Sequence, residues 1–198
     1  MRKTMAIVAL TVLLGASTAA AQSTYSIDTA HSNVGFKVRH LVAKVSGSFN
    51  EFDGTITANF ENLDASSVEF VIKTASIDTG NEKRDGHLRS ADFFDAEQYP
   101  EISFKSSKMT KKGKDTYVVA GILTMRGVNQ PVVLTVDYLG EMQAMGGTRA
   151  GYEISTTINR QDFEVSWNRA LDQGGVVLGD DVEITINLEV VKQEADTN

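Results

Sequence analysis

The sequence contains no cysteine, and this absence removes several kinds of chemistry at once. Disulfides, cysteine-ligated zinc, iron–sulfur centres and thiol nucleophiles all require that side chain. Proline is scarce, with 2 residues in 198, and tryptophan occurs once. Positive charge is also in deficit, because 19 Lys and Arg face 26 Asp and Glu, for a formal net charge of −7. Proteins that track nucleic-acid phosphates are usually basic, so we expect no nucleic-acid partner.

The remaining composition is that of an ordinary folded domain. Hydrophobic residues make up 41% of the chain and charged residues 23%, which excludes an intrinsically disordered protein. The length favours one domain. The sequence has no glycine-rich phosphate loop and no G-x-S-x-G nucleophile elbow, so nucleotide binding and α/β-hydrolase chemistry find no support.

The one long hydrophobic run lies at the N-terminus. Arg2 and Lys3 precede the charge-free segment Ala6–Ala16, and three consecutive alanines follow a few residues later. This pattern predicts a secretory signal peptide at residues 1–21 and a mature chain of residues 22–198, exported to the periplasm. An uncleaved membrane anchor is the alternative, but the run is short for a bilayer span. Cleavage removes both basic residues and changes the formal net charge from −7 to −9.

Alternating apolar and polar residues recur along the mature chain and predict antiparallel strands. The clearest example is Val182–Val190, where five apolar residues alternate with polar ones. Similar patterns occur around Phe36, Ala58, Phe70, Phe104 and Ile154. The segments Tyr117–Met125 and Val132–Leu139 are apolar on both faces, so we expect central strands covered on both sides.

Two segments lack alternation. Asp78–Tyr99 is predicted to carry short helices, with Asp78 or Thr79 as the N-cap, and residues 162–181 form a second irregular stretch. About eight or nine strands with few helices leave two architectures, a closed barrel or a sandwich. An eight-stranded barrel has an interior that can hold a small ligand.

Each candidate functional residue also has a purely structural interpretation. His31 and His40 flank one strand, but a metal would need further ligands, so we predict no metal site. The segment Arg84–Arg89 concentrates two guanidiniums and His87, which suits a phosphate or carboxylate or, alternatively, a local ion-pair network. Trp167 fits either a pocket lid or a loop anchor.

An ordered set of short motifs resembles the YceI-like family of periplasmic proteins. The motifs are Ile27-Asp28-Thr29-Ala30-His31-Ser32, Val45-Ser46-Gly47-Ser48-Phe49, Ser76-Ile77-Asp78-Thr79-Gly80-Asn81, Arg84-Asp85-Gly86-His87-Leu88-Arg89-Ser90, Phe93-Phe94-Asp95, Tyr99-Pro100, Gly121-Ile122-Leu123-Thr124 and Ile158-Asn159-Arg160. The similarity runs from about Thr24 to Val190.

The resemblance implies an all-β fold, an extended lipocalin-like closed barrel of about eight antiparallel strands with a short helix-containing insertion. It implies an apolar tunnel for long-chain isoprenoid or related lipids and does not imply an established catalytic activity. We expect a non-enzymatic protein with no cofactor, and a homodimer is possible. The predicted tunnel residues are Phe36, Val38, Phe70, Ile72, Phe93, Phe104, Leu123, Leu134 and Trp167. The predicted head-group residues are Arg84, His87 and Arg160.

Two other functions are weighed against a carrier. One is an enzyme that acts on an isoprenoid head group, which would need His40 or His87 beside a carboxylate within the cavity. The other is a stress-related interaction protein whose barrel interior is fully packed.

Overall fold

A computed structural model describes residues 22–172 and 174–194. The predicted signal peptide lies outside these residues. Within them the strands are β1 (Ser23–Ile27), β2 (Asn33–His40), β3 (Ala43–Phe49), β4 (Phe52–Ala58), β5 (Ser67–Lys73), β6 (Ile77–Asp78), β7 (Glu101–Lys111), β8 (Thr116–Met125), β9 (Val128–Ala144), β10 (Gly147–Asn159) and β11 (Leu178–Lys192), with the helix α1 at Glu82–Arg89. Four short 3₁₀ turns, at Thr29–His31, Leu63–Ala65, Thr74–Ser76 and Arg160–Phe163, complete the described elements.

The strands form one antiparallel sheet that closes on itself. One edge of β11 pairs with β10, and its other edge pairs first with β2 and then with β1. Strands β1 and β2 are therefore two halves of one barrel strand, and β3 and β4 pair with them as two halves of the next. With β5 and β7 to β11 these make eight barrel strands, which confirms the predicted closed barrel.

The predicted alternation describes the barrel wall. Ile184 on β11 lies opposite Thr156 on β10 and Phe36 on β2, and all three side chains point inward. The large ring of Phe36 lies across the neighbouring strand at Gly47, where an added Cβ would collide with the ring. Glycine at this position therefore lets an aromatic side chain occupy the barrel interior.

The prediction that β8 and β9 are covered on both faces is wrong. Their inward side chains border the barrel interior, but Ile122, Val133 and Leu139 are 42%, 56% and 65% exposed. The barrel wall is a single layer of sheet, so the second face of each strand meets solvent whether or not its residues are polar.

The irregular insertion between β5 and β7 covers a gap in the wall. Strand β3 pairs with β6 only at Ser48 and Phe49, and the Phe94 ring packs edge-on to Phe49 at 5.9 Å. Helix α1 is capped by Asn81, whose side chain accepts a hydrogen bond from the Arg84 backbone at 3.0 Å, not by the predicted Asp78 or Thr79. In the described part of the chain, no helix combines the length and the hydropathy that a bilayer crossing needs.

Candidate functional site

The barrel encloses an elongated cavity of about 210 Å³. Its wall is almost wholly apolar, and every barrel strand contributes to it. On β11 the inward residues Val182, Ile184 and Ile186 are only half-buried although they point into the barrel. Leu134 and Val136 on β9 show the same partial exposure. These side chains keep accessible surface because they border unfilled space, so the interior is a cavity and not a fully packed core.

The cavity follows the barrel axis for most of its length. Its lining extends along β11 from Leu178 to Leu188, ten residue steps, or about 33 Å of strand. With the usual strand tilt this corresponds to about 25 Å along the axis. That length approaches the hydrocarbon thickness of a bilayer, about 30 Å. An apolar space of this length can accommodate an extended hydrocarbon chain.

The two ends of the cavity differ in packing. At the lower end, where the chain enters β1 and leaves β11, Tyr25, Ala150 and Val190 are at most 2% exposed and close the barrel floor. At the upper end the lining residues Val38 and Leu178 are half-buried.

An aromatic cluster lies beside the floor. The rings of Phe60 and Tyr117 are 6.2 Å apart, those of Phe60 and Tyr138 are 5.9 Å apart, and those of Tyr138 and Tyr152 are 5.5 Å apart. Burial raises the pKa of the Tyr152 phenol far above its usual range. The phenol is therefore neutral at physiological pH, and this end of the cavity gains no charge from it.

Most of the predicted tunnel residues line this cavity. They are Phe36, Val38, Phe70, Ile72, Phe93, Phe104, Leu123 and Leu134. Trp167 is not part of the lining; its ring packs 5.1 Å from His87 and 5.2 Å from Phe93, in the loop that covers the upper end. Ligand contact by these residues stays a prediction.

Arg160 borders the cavity but serves the backbone. Its guanidinium donates to the carbonyls of Val165 at 2.6 Å, Trp167 at 2.9 Å and Gly179 at 2.8 Å. It also donates to the Asp180 carboxylate at 3.0 Å. With these donors engaged, the side chain holds the loop after β10 against the start of β11, and little of its hydrogen-bonding capacity is left for a ligand.

The other two predicted head-group residues lie away from the cavity lining. The Arg84 guanidinium is exposed and donates to the Thr79 hydroxyl at 2.7 Å and the Thr79 carbonyl at 2.9 Å. His87 contacts the Asp92 carboxylate at 2.9 Å. Both side chains therefore take part in local polar networks, as the alternative interpretation expects. Their positions give no evidence of direct contact with a ligand inside the barrel.

A polar cluster joins the two halves of the first barrel strand. The Arg149 guanidinium lies 2.6 Å from Asp28 and 2.5 Å from Glu189, while His31 lies 3.1 Å from Asp28. Asp28, His31 and Glu189 together could supply metal ligands. Arg149 already gives these carboxylates a cation, and His40 lies at the far end of β2 from His31. We therefore describe the group as an ion-pair cluster.

Several lining residues were absent from the sequence-based prediction. They include Ile154, Ile158, Val182, Ile184, Ile186 and Leu188. All of them stand on the inward register of strands that alternation had already identified, so the signal was present in the pattern. The prediction emphasised large aromatic residues, whereas aliphatic residues form much of the actual wall.

Comparison with known proteins agrees with the geometry. The YceI-like domain model matches residues 25–190. A UPF0312 protein of Photorhabdus laumondii is 43% identical, covering 77% of this chain and 80% of that protein, and one of Azotobacter vinelandii is 36% identical, covering 98% and 100%. The crystal structure of BcnA from Burkholderia cenocepacia superposes with a TM-score of 0.72 at 26% identity, covering 82% of this chain and 98% of that one. A Saccharophagus degradans domain described as polyisoprenoid-binding has a TM-score of 0.65 at 17% identity, covering 85% and 98%. The chain belongs to the YceI-like family.

Proposed function

We propose that the protein is a periplasmic carrier of long-chain isoprenoid or related lipids. The observation that carries this proposal is the long, apolar cavity inside the barrel. The Saccharophagus degradans domain of the same fold is described as polyisoprenoid-binding, which supports the same ligand class. The predicted signal peptide at residues 1–21 supports the periplasmic location.

Chain length follows from the energetics of an apolar wall. Realised binding free energy for larger ligands is about 0.3 kcal/mol per non-hydrogen atom. A chain of about ten carbons would gain about 3 kcal/mol, which corresponds to millimolar affinity or weaker. A chain of about thirty carbons would gain about 9 kcal/mol and bind at micromolar concentration or below. Long polyprenyl chains are therefore the expected ligands, and short acyl chains are not.

The alternative functions find less support. An enzyme acting on an isoprenoid head group would need an acid–base residue facing the ligand, and neither His40 nor His87 is among the lining residues. A packed-barrel interaction protein would lack the half-buried inward wall seen at Ile184 and Leu134.

Ligand extraction tests the proposal. Purified mature protein should yield an isoprenoid or long acyl compound by solvent extraction and mass spectrometry, and Ile184→Glu should lose it because a carboxylate then borders the apolar chain. Thr185→Glu is the matched control, since the neighbouring side chain is exposed on the outer face of β11. Protein that is empty as purified and also fails to take up added long-chain isoprenoids would refute a carrier function.

A further inference from the structure

The turn between β2 and β3 carries two exposed apolar residues. Leu41 is 41% exposed, and Val42 has the full exposure of an extended peptide, at 103%. Leu41 has a φ of 53°, a conformation that tight hairpin turns normally give to Gly, Asn or Asp. Neither burial nor turn geometry accounts for a leucine and a valine here, and an outlier of this kind points to a function at the surface.

A second segment enlarges this apolar surface. The Leu41 backbone N–H donates to the Val177 carbonyl at 2.8 Å, which places the turn beside the loop that precedes β11. Leu171 and Val176 in that loop are each 38% exposed. We call Leu41, Val42, Leu171 and Val176 the tip patch. An apolar surface built from two chain segments is more than the scattered exposed residue that any protein shows.

Three exposed basic residues and one exposed acidic residue, Asp172, adjoin the tip patch in a mature chain whose expected net charge is −9. Arg39, Lys44 and Arg169 are exposed beside it. The Arg39 guanidinium donates to the Leu41 carbonyl at 3.0 Å, and Lys44 lies 2.5 Å from the exposed Glu183 carboxylate. Solvent-exposed interactions of this kind contribute little to the free energy of folding, so these cations can turn toward another anion.

The opposite end of the barrel offers a direct comparison. The β9–β10 hairpin also exposes apolar side chains, with Met142 at 66% and Met145 at 84%. That hairpin carries Glu141 at its apolar tip, and the nearby Arg149 is already bound to Asp28 and Glu189. Among the described residues, the β2–β3 hairpin places exposed apolar side chains between two exposed basic residues of the same hairpin, Arg39 and Lys44.

We propose that the tip patch docks on an anionic phospholipid bilayer. Val38 and Leu178 line the upper end of the cavity, and each lies within a few residues of the tip patch. Apolar side chains would enter the interface while Arg39, Lys44 and Arg169 meet lipid phosphates. Docking in this orientation sets the upper end of the cavity against the membrane, and this use of the surface rests on the proposed carrier function.

Vesicle flotation tests the docking. Mature protein should float with phosphatidylglycerol-containing vesicles and not with pure phosphatidylcholine vesicles, and added salt should weaken the association. Val42→Glu should lower the partition coefficient about tenfold, from the lost burial of one apolar side chain. Lys44→Gln should lower it about fivefold, from the loss of one cation near the surface. Met145→Glu is the matched control and should bind like the unchanged protein.

A spectroscopic readout covers the case in which a charged variant is misfolded. The emission of Val42→Trp, after subtraction of the Trp167 signal of the unchanged protein, should shift to the blue on anionic vesicles, and that of Met145→Trp should not. Three results would each overturn the proposal. The first is an equal loss of vesicle binding in Val42→Glu and Met145→Glu, and the second is an emission shift only at position 145. The third is an oligomer that forms without vesicles and dissociates in Val42→Glu. Extracted lipid from Val42→Glu should match that from the unchanged protein, which separates a failure of docking from a failure of lipid binding.

Discussion

At the scale of single residues, Arg160 is a buried cation whose guanidinium binds the backbone of a neighbouring loop. The residue is 4% exposed and its guanidinium donates to three backbone carbonyls. Burial lowers the pKa of this group, and the neighbouring Asp180 carboxylate opposes that shift. The loop carbonyls supply most of the hydrogen bonds that the buried group needs.

Arg160→Met should destabilise the protein because it leaves the carbonyls of Val165, Trp167 and Gly179 without this donor. The expected loss in free energy of unfolding is about 3 kcal/mol, measured by urea denaturation. Affinity for a phosphate-headed polyprenyl chain and for the same chain without a head group should change by the same factor. Selective weakening of the phosphate-headed ligand would instead show that Arg160 contacts the head group.

At the scale of elements, the junction between β1 and β2 depends on charge. The two halves of this barrel strand are separated by a 3₁₀ turn, and Asp28 begins that turn by accepting from the Ala30 backbone at 3.1 Å. The hydrogen bond from Arg149, followed by that from His31, lowers the pKa of Asp28 from 3.8 to about 2. Because Arg149 lies on β10, the cluster ties the junction to the barrel wall.

The Asp28 cluster predicts a specific dependence of stability on pH. A carboxyl with a depressed folded-state pKa stabilises the fold above its unfolded pKa, near 4, and loses that contribution as the pH falls to about 2. Asp28→Asn should therefore lower the melting temperature at pH 7, and the difference from the unchanged protein should shrink at pH 2. Glu153→Gln, exposed on the outer face of β10, is the control. A difference that is constant across this range would contradict the assignment.

At the scale of the whole molecule, ligand binding and folding are linked. A lipid that binds only the folded barrel stabilises it, by about 2.7 kcal/mol at a free concentration of a hundred times Kd. For a chain of this size the melting temperature should then rise by about 5–10 °C in calorimetry of lipid-free protein with added polyprenyl ligand. The rise should be absent in Ile184→Glu and retained in Thr185→Glu. An equal rise in both variants would mean that the ligand binds outside the cavity.

The sequence predicted the barrel more fully than its polar details. Alternation along β11 identified the inward face of Val182 to Leu188 because the period of two is a property of the strand itself. Alternation could not assign the outer face of β9, since Val133 is apolar and yet exposed.

The sequence patterns could not predict contacts between residues that are far apart in the chain. Arg160 reaches a strand that begins eighteen positions later, and Arg149 and Asp28 meet from opposite sides of β11 although they are far apart in the sequence. The motifs that resemble the family include Asp28 and Arg160, but their physical roles depend on partners that only the folded chain brings near.

The smooth apolar wall has a kinetic consequence for any chain it holds. Few polar side chains interrupt the lining, so a hydrocarbon can slide along the axis without crossing fixed hydrogen-bonding positions. The barrier to escape then grows with the length of chain inside. At about 0.3 kcal/mol per atom, each additional isoprene unit adds about 1.5 kcal/mol and lengthens the residence time about tenfold. The residence time of a bound chain would therefore be set by the length of that chain.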